Sequence, residues 1–181
     1  MKKTIIFTLL LALVAVATPV FAASSILKQA AAVCDASLNS GDAAVVELGF
    51  TESSAKPQNP FGEKVFEKKA DGQTLIVTTG KKFRKSFCEL YLPNGTQEDY
   101  QAIRAELAKQ FNTDGVNYDD SVDGKPYRGE IWSDKEAMDN GNVSDLKLEG
   151  TKLASLFIQF SAVKFRQTQD RTGLILEMMK R

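Results

Sequence analysis

The sequence contains no histidine among its 181 residues. Imidazole is the usual proton acceptor in Ser-His-Asp and Cys-His catalysis, and it is the commonest protein ligand of metals such as zinc and copper. Its absence excludes those catalytic arrangements and histidine-based metal sites. Acid–base chemistry would depend on carboxylates, lysine, tyrosine or hydroxyl groups. The absence of histidine therefore counts against a hydrolase of familiar type and favours a protein that is not an enzyme.

Long apolar runs are also absent, except near the first residue. Lys2 and Lys3 precede an apolar stretch at 4–17, and Val20 and Ala22 supply the small residues that follow it. This pattern predicts a secretory signal peptide, residues 1–22, that is cleaved after Ala22. The stretch is shorter than the roughly 20 residues of a membrane-spanning helix. We therefore expect residues 23–181 to form a single soluble domain without a membrane span, located in the periplasm or secreted.

Cysteine is scarce, since Cys34 and Cys88 are the only two. An even number in an exported chain favours a disulfide over the alternative of two separate buried thiols. The two lie too far apart in sequence for the short spacing of redox-active pairs. We predict a structural disulfide that closes a loop of about 55 residues and contributes roughly 4 kcal/mol in the loop-entropy model.

Neither sign of charge is in excess. The chain has 23 basic and 23 acidic residues, and removal of the two signal lysines leaves a net charge of about −2. Nucleic-acid binding usually requires a strongly basic face, so we expect no nucleic-acid partner. The overall charge also gives no support for docking on an anionic membrane.

The hydrophobic periodicity predicts two clear helices. Residues 26–38 carry an apolar stripe that includes Cys34, so the disulfide would fasten this helix to the core. Thr96, with Asp99 three residues later, resembles a capping box at the start of a second helix that ends near Asn112. Residues 43–48 fit a short helix or a strand.

Seven segments have the alternation or β-branched composition of strands, with turn signals at 70–73 and a hairpin loop at 167–173. They are 63–69, 74–79, 87–92, 126–132, 145–149, 153–165 and 174–179. We interpret 51–61 as a loop and 113–124 as an acidic, turn-forming segment. Together these elements predict an α+β fold, with a largely antiparallel sheet of about six or seven strands and two or three helices packed on one face.

One segment has the spacing of a calcium-binding loop, formed by Asp119, Ser121, Asp123, Gly124 and Glu130. In this spacing it resembles the EF-hand, whose loop wraps about six to eight oxygen ligands round one ion. Pro126 stands where that loop has a branched apolar residue, and no second loop is present to pair with it. A calcium-stabilised module is therefore one alternative, and a solvated acidic turn is the other.

Two segments are candidate contact surfaces. The basic stretch Lys81-Lys82-Phe83-Arg84-Lys85 suits an acidic partner or a lipid headgroup, although such stretches are also ordinary hairpin connections. Tyr127 and Trp132 lie on one predicted strand with Arg128 and Glu130 between them. Aromatic residues beside arginine are favoured at interfaces and carbohydrate platforms, and burial in the core is the other interpretation for Trp132.

Four carboxylates could include a catalytic pair for glycoside chemistry, and they are Asp134, Glu136, Asp139 and Asp145. An envelope enzyme acting on glycans is therefore a further alternative. No cofactor motif is present in the sequence. The leading hypothesis is an exported, non-enzymatic binding protein that holds a protein partner or a small apolar ligand in the cell envelope.

Overall fold

The computed structural model describes residues 23–70, 72–136, 141–164 and 171–181. Within these ranges the chain forms three helices and nine strands. In order they are α1 Ala23–Ser40, α2 Asp42–Glu47, β1 Thr51–Ser53, β2 Gly62–Ala70, β3 Gln73–Lys82, β4 Lys85–Leu92, α3 Gln97–Phe111, β5 Val116–Val122, β6 Lys125–Ser133, β7 Lys147–Leu148, β8 Thr151–Ser161 and β9 Gly173–Lys180. Five predictions fall wholly or partly outside these ranges: the signal peptide at 1–22, the turn at 70–73, the candidate carboxylate Asp139, the strand end at 165 and the loop at 167–173.

The predicted disulfide is present between Cys34 of α1 and Cys88 of β4, whose Cα atoms lie 5.3 Å apart. Leu27, Ala31 and Leu38 share the buried stripe of α1 with Cys34. The bridge therefore fixes the apolar side of α1 against the middle of the sheet.

The predicted capping box begins α3. Thr96 Oγ1 accepts a hydrogen bond from the backbone N–H of Asp99 at 3.1 Å, and Asp99 Oδ2 accepts one from the backbone N–H of Thr96 at 2.9 Å. Asn112 ends the helix in the left-handed conformation, with φ 52°. The buried residues Ile103 and Leu107 face the core, so α3 packs beside α1.

All neighbouring strands of the sheet are antiparallel, in the order β1-β2-β3-β4-β9-β8-β6-β5, and β7 adds to one end of β8. Leu90, Leu176 and Ile158 are neighbours across β4, β9 and β8, and all three are fully buried. They share a face with Cys88, so they lie on the side that α1 and α3 cover. The main hydrophobic core occupies the space between this face and the two helices.

The opposite side of the sheet is called the far face below. Here the register neighbours are Glu89, Glu177 and Phe157, on the same three strands. Glu89 is fully buried and Glu177 nearly so, because the segment that precedes β2 lies over them. β4 and β9 are therefore central strands that are buried on both sides.

The α+β fold with a mostly antiparallel sheet is confirmed, but the expected number of strands is too small. The two additional strands are β1 and β5, which form the two edges of the sheet. Nearly all of their side chains are polar or exposed, since each strand has only one neighbour. A sequence pattern based on buried alternation does not detect such strands.

The remaining differences concern element boundaries. α2 forms as a helix, which decides between the two interpretations of 43–48. β3 continues through Lys82 and β4 begins at Lys85, so the basic stretch is mostly strand rather than connection. In the described ranges, no helix combines the length and apolar composition needed to cross a bilayer.

Candidate functional site

The turn between β3 and β4 consists of only two residues, Phe83 and Arg84. Both adopt positive φ angles, 53° and 65°. A two-residue hairpin of this kind requires positive φ at both positions, and the usual sequence is Asn-Gly or Asp-Gly. The chain uses that solution elsewhere, at Asp123-Gly124 with φ 52° and 72°. The β3–β4 turn therefore carries two bulky side chains where the backbone favours small ones.

Holding an ordinary L-residue in the left-handed region costs roughly 1–2 kcal/mol. The fold gains no core packing in return, because Phe83 is 75% exposed, the highest value among the exposed large apolar residues of the described chain. Backbone strain without a structural benefit is a typical feature of functional sites. The Phe83-Arg84 turn is therefore the strongest candidate for a contact surface.

A second unfavourable feature lies at the base of this turn, where Lys82 stands directly opposite Lys85. Like charges at opposing positions destabilise a pair of strands. Lys82 is neutralised by Glu177, with Nζ 2.8 Å from Oε1. Lys81, Arg84 and Lys85 make no salt bridge to any residue whose position is described. Three cations are thus concentrated at one end of the hairpin.

Phe61, just before β2, adds a second exposed aromatic ring beside this turn. Its ring centroid lies 6.0 Å from that of Phe83, and Phe61 is 41% exposed. The Nζ of Lys82 lies 5.6 Å from the centre of the Phe61 ring, and the same Nζ pairs with Glu177. We call Phe61, Lys81, Phe83, Arg84 and Lys85 the hairpin tip.

A group of charged side chains lies beneath the tip on the far face. Arg171 donates two hydrogen bonds to Glu89, at 2.7 and 2.8 Å, and its guanidinium lies 4.7 Å from the ring centre of Tyr91. The amide nitrogen of Asn59 donates to both carboxylates, at 3.0 Å to Glu89 and 3.3 Å to Glu177. We call Asn59, Lys82, Glu89, Arg171 and Glu177 the ion cluster.

The ion cluster determines the position of Phe61. The side-chain carbonyl of Asn59 accepts a hydrogen bond from the backbone N–H of Phe61 at 3.1 Å. This segment lies so close to β3 that a Cβ atom at Gly80 would approach the carbonyl oxygen of Phe61 to 2.3 Å. Buried charges and a glycine thus hold the second aromatic ring beside the turn.

Two clefts border these residues, and both are small. The cleft beside Tyr91 and Arg171 has a volume of about 150 Å³, and the cleft beside Gly80 and Phe87 about 200 Å³. Pockets for small-molecule ligands typically measure about 300–1,000 Å³. Both clefts are smaller than this range, whereas the projecting tip suits contact with an extended surface.

The structure does not arrange the candidate calcium residues as a loop. Asp119 and Ser121 lie on β5, Asp123 lies in the turn, and Glu130 lies on β6, so the segment is an extended hairpin. Asp119 pairs with Arg128 at 2.7 Å, and the buried Glu130 is bound by Arg104 and by the backbone N–H of Gly115. No group of three or more potential ligands forms a metal cluster in the described ranges. The spacing that resembles an EF-hand results from a β-hairpin.

Trp132 and Tyr127 do not form a common exposed platform. Trp132 is fully buried on the helix side and donates from Nε1 to the carbonyl of Thr113 at 3.1 Å. Trp132 thus belongs to the core, which was the other interpretation of this residue. Tyr127 points to the far face and lies 5.8 Å from the ring of Tyr118, which stacks on Phe157 at 6.0 Å.

The carboxylates considered for glycoside chemistry are held by basic side chains. Asp134 is buried and pairs with Arg181, which also binds Glu136. Asp145 is exposed and pairs with Lys147, so its pKa is lowered. Asp139 lies outside the described residues. For Asp145, the contact with Lys147 favours the ionised carboxylate over the protonated form that a general acid requires.

Sequence reasoning identified the basic residues of the tip but missed Phe61 and most of the ion cluster. Asn59, Glu89 and Glu177 come from separate parts of the chain, and only the register of β4 against β9 places the two carboxylates side by side. One usable signal is a glutamate in the middle of an otherwise apolar strand, since an unpaired buried charge is strongly unfavourable.

No protein-family model, curated protein or solved structure matches this chain. Its function is therefore inferred from the geometry described above.

Proposed function

We propose that this protein is an exported, non-enzymatic binding module whose contact surface is the hairpin tip. The disulfide between Cys34 and Cys88 is compatible with export, because such bonds persist in oxidising compartments. The tip combines two exposed aromatic rings with three cations that make no salt bridge in the described chain. Its target would carry negative charge and accept apolar side chains.

The observation that carries this proposal is the Phe83-Arg84 turn. Another hairpin turn of the same chain is formed by Asp123-Gly124, a sequence that adopts positive φ with less strain. The presence of a phenylalanine and an arginine at positive φ points to a role of these side chains in binding rather than in folding. Aromatic residues and arginine are also the residue types enriched at binding hot spots.

The ion cluster favours binding over carboxylate catalysis. Both oxygens of Glu89 are occupied by Arg171, and Asn59 donates to one of them as well. Glu177 is held by Lys82 and Asn59. Neither carboxylate is left available to attack or protonate a substrate, so the cluster serves to position the tip.

Photo-cross-linking in the exporting cell tests the proposal. A benzophenone amino acid at position 83 should form an adduct with a cellular component, because this residue would lie in the contact. The matched control places it at Val116, which is 50% exposed on the edge strand β5. Equal labelling at the two positions, or no adduct at position 83, would contradict the proposed contact surface.

A further inference from the structure

We propose that the target of the hairpin tip is the surface of an anionic lipid bilayer, an inference that rests on the contact surface proposed above. The tip would insert Phe61 and Phe83 at the boundary of headgroups and acyl chains. Lys81, Arg84 and Lys85 would contact the negatively charged headgroups around them.

Local charge favours this target despite the balanced composition. The three tip cations are not neutralised by salt bridges within the described chain, so their field extends into the solvent at the end of β3 and β4. Each basic residue close to an anionic bilayer strengthens binding by a factor of about five. Three such residues together correspond to roughly a hundredfold preference over a neutral bilayer.

The apolar part of the tip has the geometry required for shallow insertion. Phe61 and Phe83 are adjacent and protrude from the same end of the sheet. Phenylalanine gains by leaving water, while the long stems of lysine and arginine keep the charged groups at headgroup level. Interfacial binding uses this combination of inserted apolar groups and surrounding cations.

The size of the tip favours a bilayer over a folded protein partner. A stable protein interface involves about 20–30 residues on each side. The tip offers only five residues, which are the two turn residues, Lys81 and Lys85 beside them, and Phe61 before β2. A fluid bilayer adapts to a small protrusion, whereas a protein would need a matching pocket to gain comparable contact.

The tip is also organised before binding. The hydrogen bond from Phe61 to Asn59 and the cation contact between Lys82 and Phe61 hold one ring. The short turn fixes the backbone of Phe83, because a two-residue connection has little conformational freedom. Little backbone entropy is therefore lost when the rings enter the bilayer.

Co-flotation with vesicles tests the inference on the mature chain. One set of vesicles contains equal parts phosphatidylglycerol and phosphatidylcholine, and the other contains phosphatidylcholine alone. We expect binding to the anionic vesicles that decreases with added salt, and roughly a hundredfold weaker binding to the neutral ones. Binding of equal strength to both sets would overturn the inference.

Two variants with the same change in charge separate a local effect from a general one. The tip variant carries Lys81→Gln, Arg84→Gln and Lys85→Gln, and it should lose about a hundredfold in affinity for the anionic vesicles. The control variant carries Lys109→Gln, Lys125→Gln and Lys152→Gln, three exposed lysines outside the tip, and it should lose much less. Equal losses in the two variants would overturn the inference.

The cross-linking experiment distinguishes the two proposals. A lipid adduct at position 83, together with vesicle binding, supports both. A protein adduct at position 83 without vesicle binding overturns the bilayer as target and leaves the contact surface supported. Absence of both an adduct and vesicle binding overturns both proposals.

Discussion

Arg171, on the far face, is a single side chain with a large expected effect on the stability of the fold. It is 4% exposed and forms two hydrogen bonds with Glu89, which is fully buried. Removing one partner of such a pair leaves an uncompensated charge on a buried residue. The free energy of unfolding therefore falls by much more than the intact pair contributes to it, because a buried ion is stable only with its partner.

We expect Arg171→Met to lower the free energy of unfolding by about 3–5 kcal/mol, because Glu89 loses its cation. The double variant Arg171→Met with Glu89→Leu should recover most of that loss, since neither charge remains. Denaturant unfolding measures both changes. The control is Arg128→Met, which breaks the exposed pair with Asp119 and should cost less than about 1 kcal/mol. A small effect of Arg171→Met would show that the cluster is hydrated.

The sequence could not predict this cluster because its members are far apart along the chain. Glu89 and Arg171 are separated by 82 positions, and Asn59 and Glu177 by 118. Residue type indicates only that a buried glutamate requires a partner. By contrast, the disulfide was predictable, because a chain with two cysteines has a single possible intramolecular pairing.

At the scale of elements, the turn of the β3–β4 hairpin is less stable than a turn whose residues favour positive φ. We expect the double variant Phe83→Asn with Arg84→Gly to raise the free energy of unfolding by about 1–2 kcal/mol, because these residues accept positive φ. A higher denaturant midpoint checks this. The same variant should bind anionic vesicles more weakly. Unchanged stability would show that the present turn carries little strain.

Elements with a buried face or a local cap were predictable from the sequence, and edge elements were not. The box of Thr96 and Asp99 marked the start of α3, since capping depends on residues three apart. β5 has mostly exposed side chains, and its acidic sequence also fits a solvated turn. The calcium hypothesis arose from this ambiguity, because the spacing of Asp119, Asp123 and Glu130 also fits a hairpin in which they lie on β5, in the turn and on β6.

At the scale of the whole molecule, charge and burial are distributed unevenly, and the net charge does not reveal this distribution. The 23 basic and 23 acidic residues of the full chain balance, and this net charge gives no reason to expect an anionic target. The fold places Lys81, Arg84 and Lys85 at one end of the sheet, while Lys82 turns inward to Glu177. Function at a surface depends on this local arrangement, since charges more than a Debye length apart are screened from each other.

Burial also affects every tyrosine of the chain, with a consequence for stability at high pH. Tyr91, Tyr100, Tyr118 and Tyr127 all have raised pKa values, and loss of hydration is the main cause for each. Tyr118 and Tyr127 also share a hydrogen bond, which raises the pKa of Tyr118 and lowers that of Tyr127. The folded protein therefore retains phenolic protons that the unfolded chain releases.

This difference predicts the direction of alkaline unfolding. The stabilisation from the neutral tyrosines is fully present below pH of about 10, the value for an exposed phenol, and it is lost as the pH rises towards the folded-state pKa values. We expect ultraviolet absorbance to show little phenolate near pH 10, and then a steep rise that coincides with loss of the circular dichroism signal. Phenolate formation near pH 10 with an intact fold would instead show that water reaches these rings, including the Tyr118 ring stacked on Phe157.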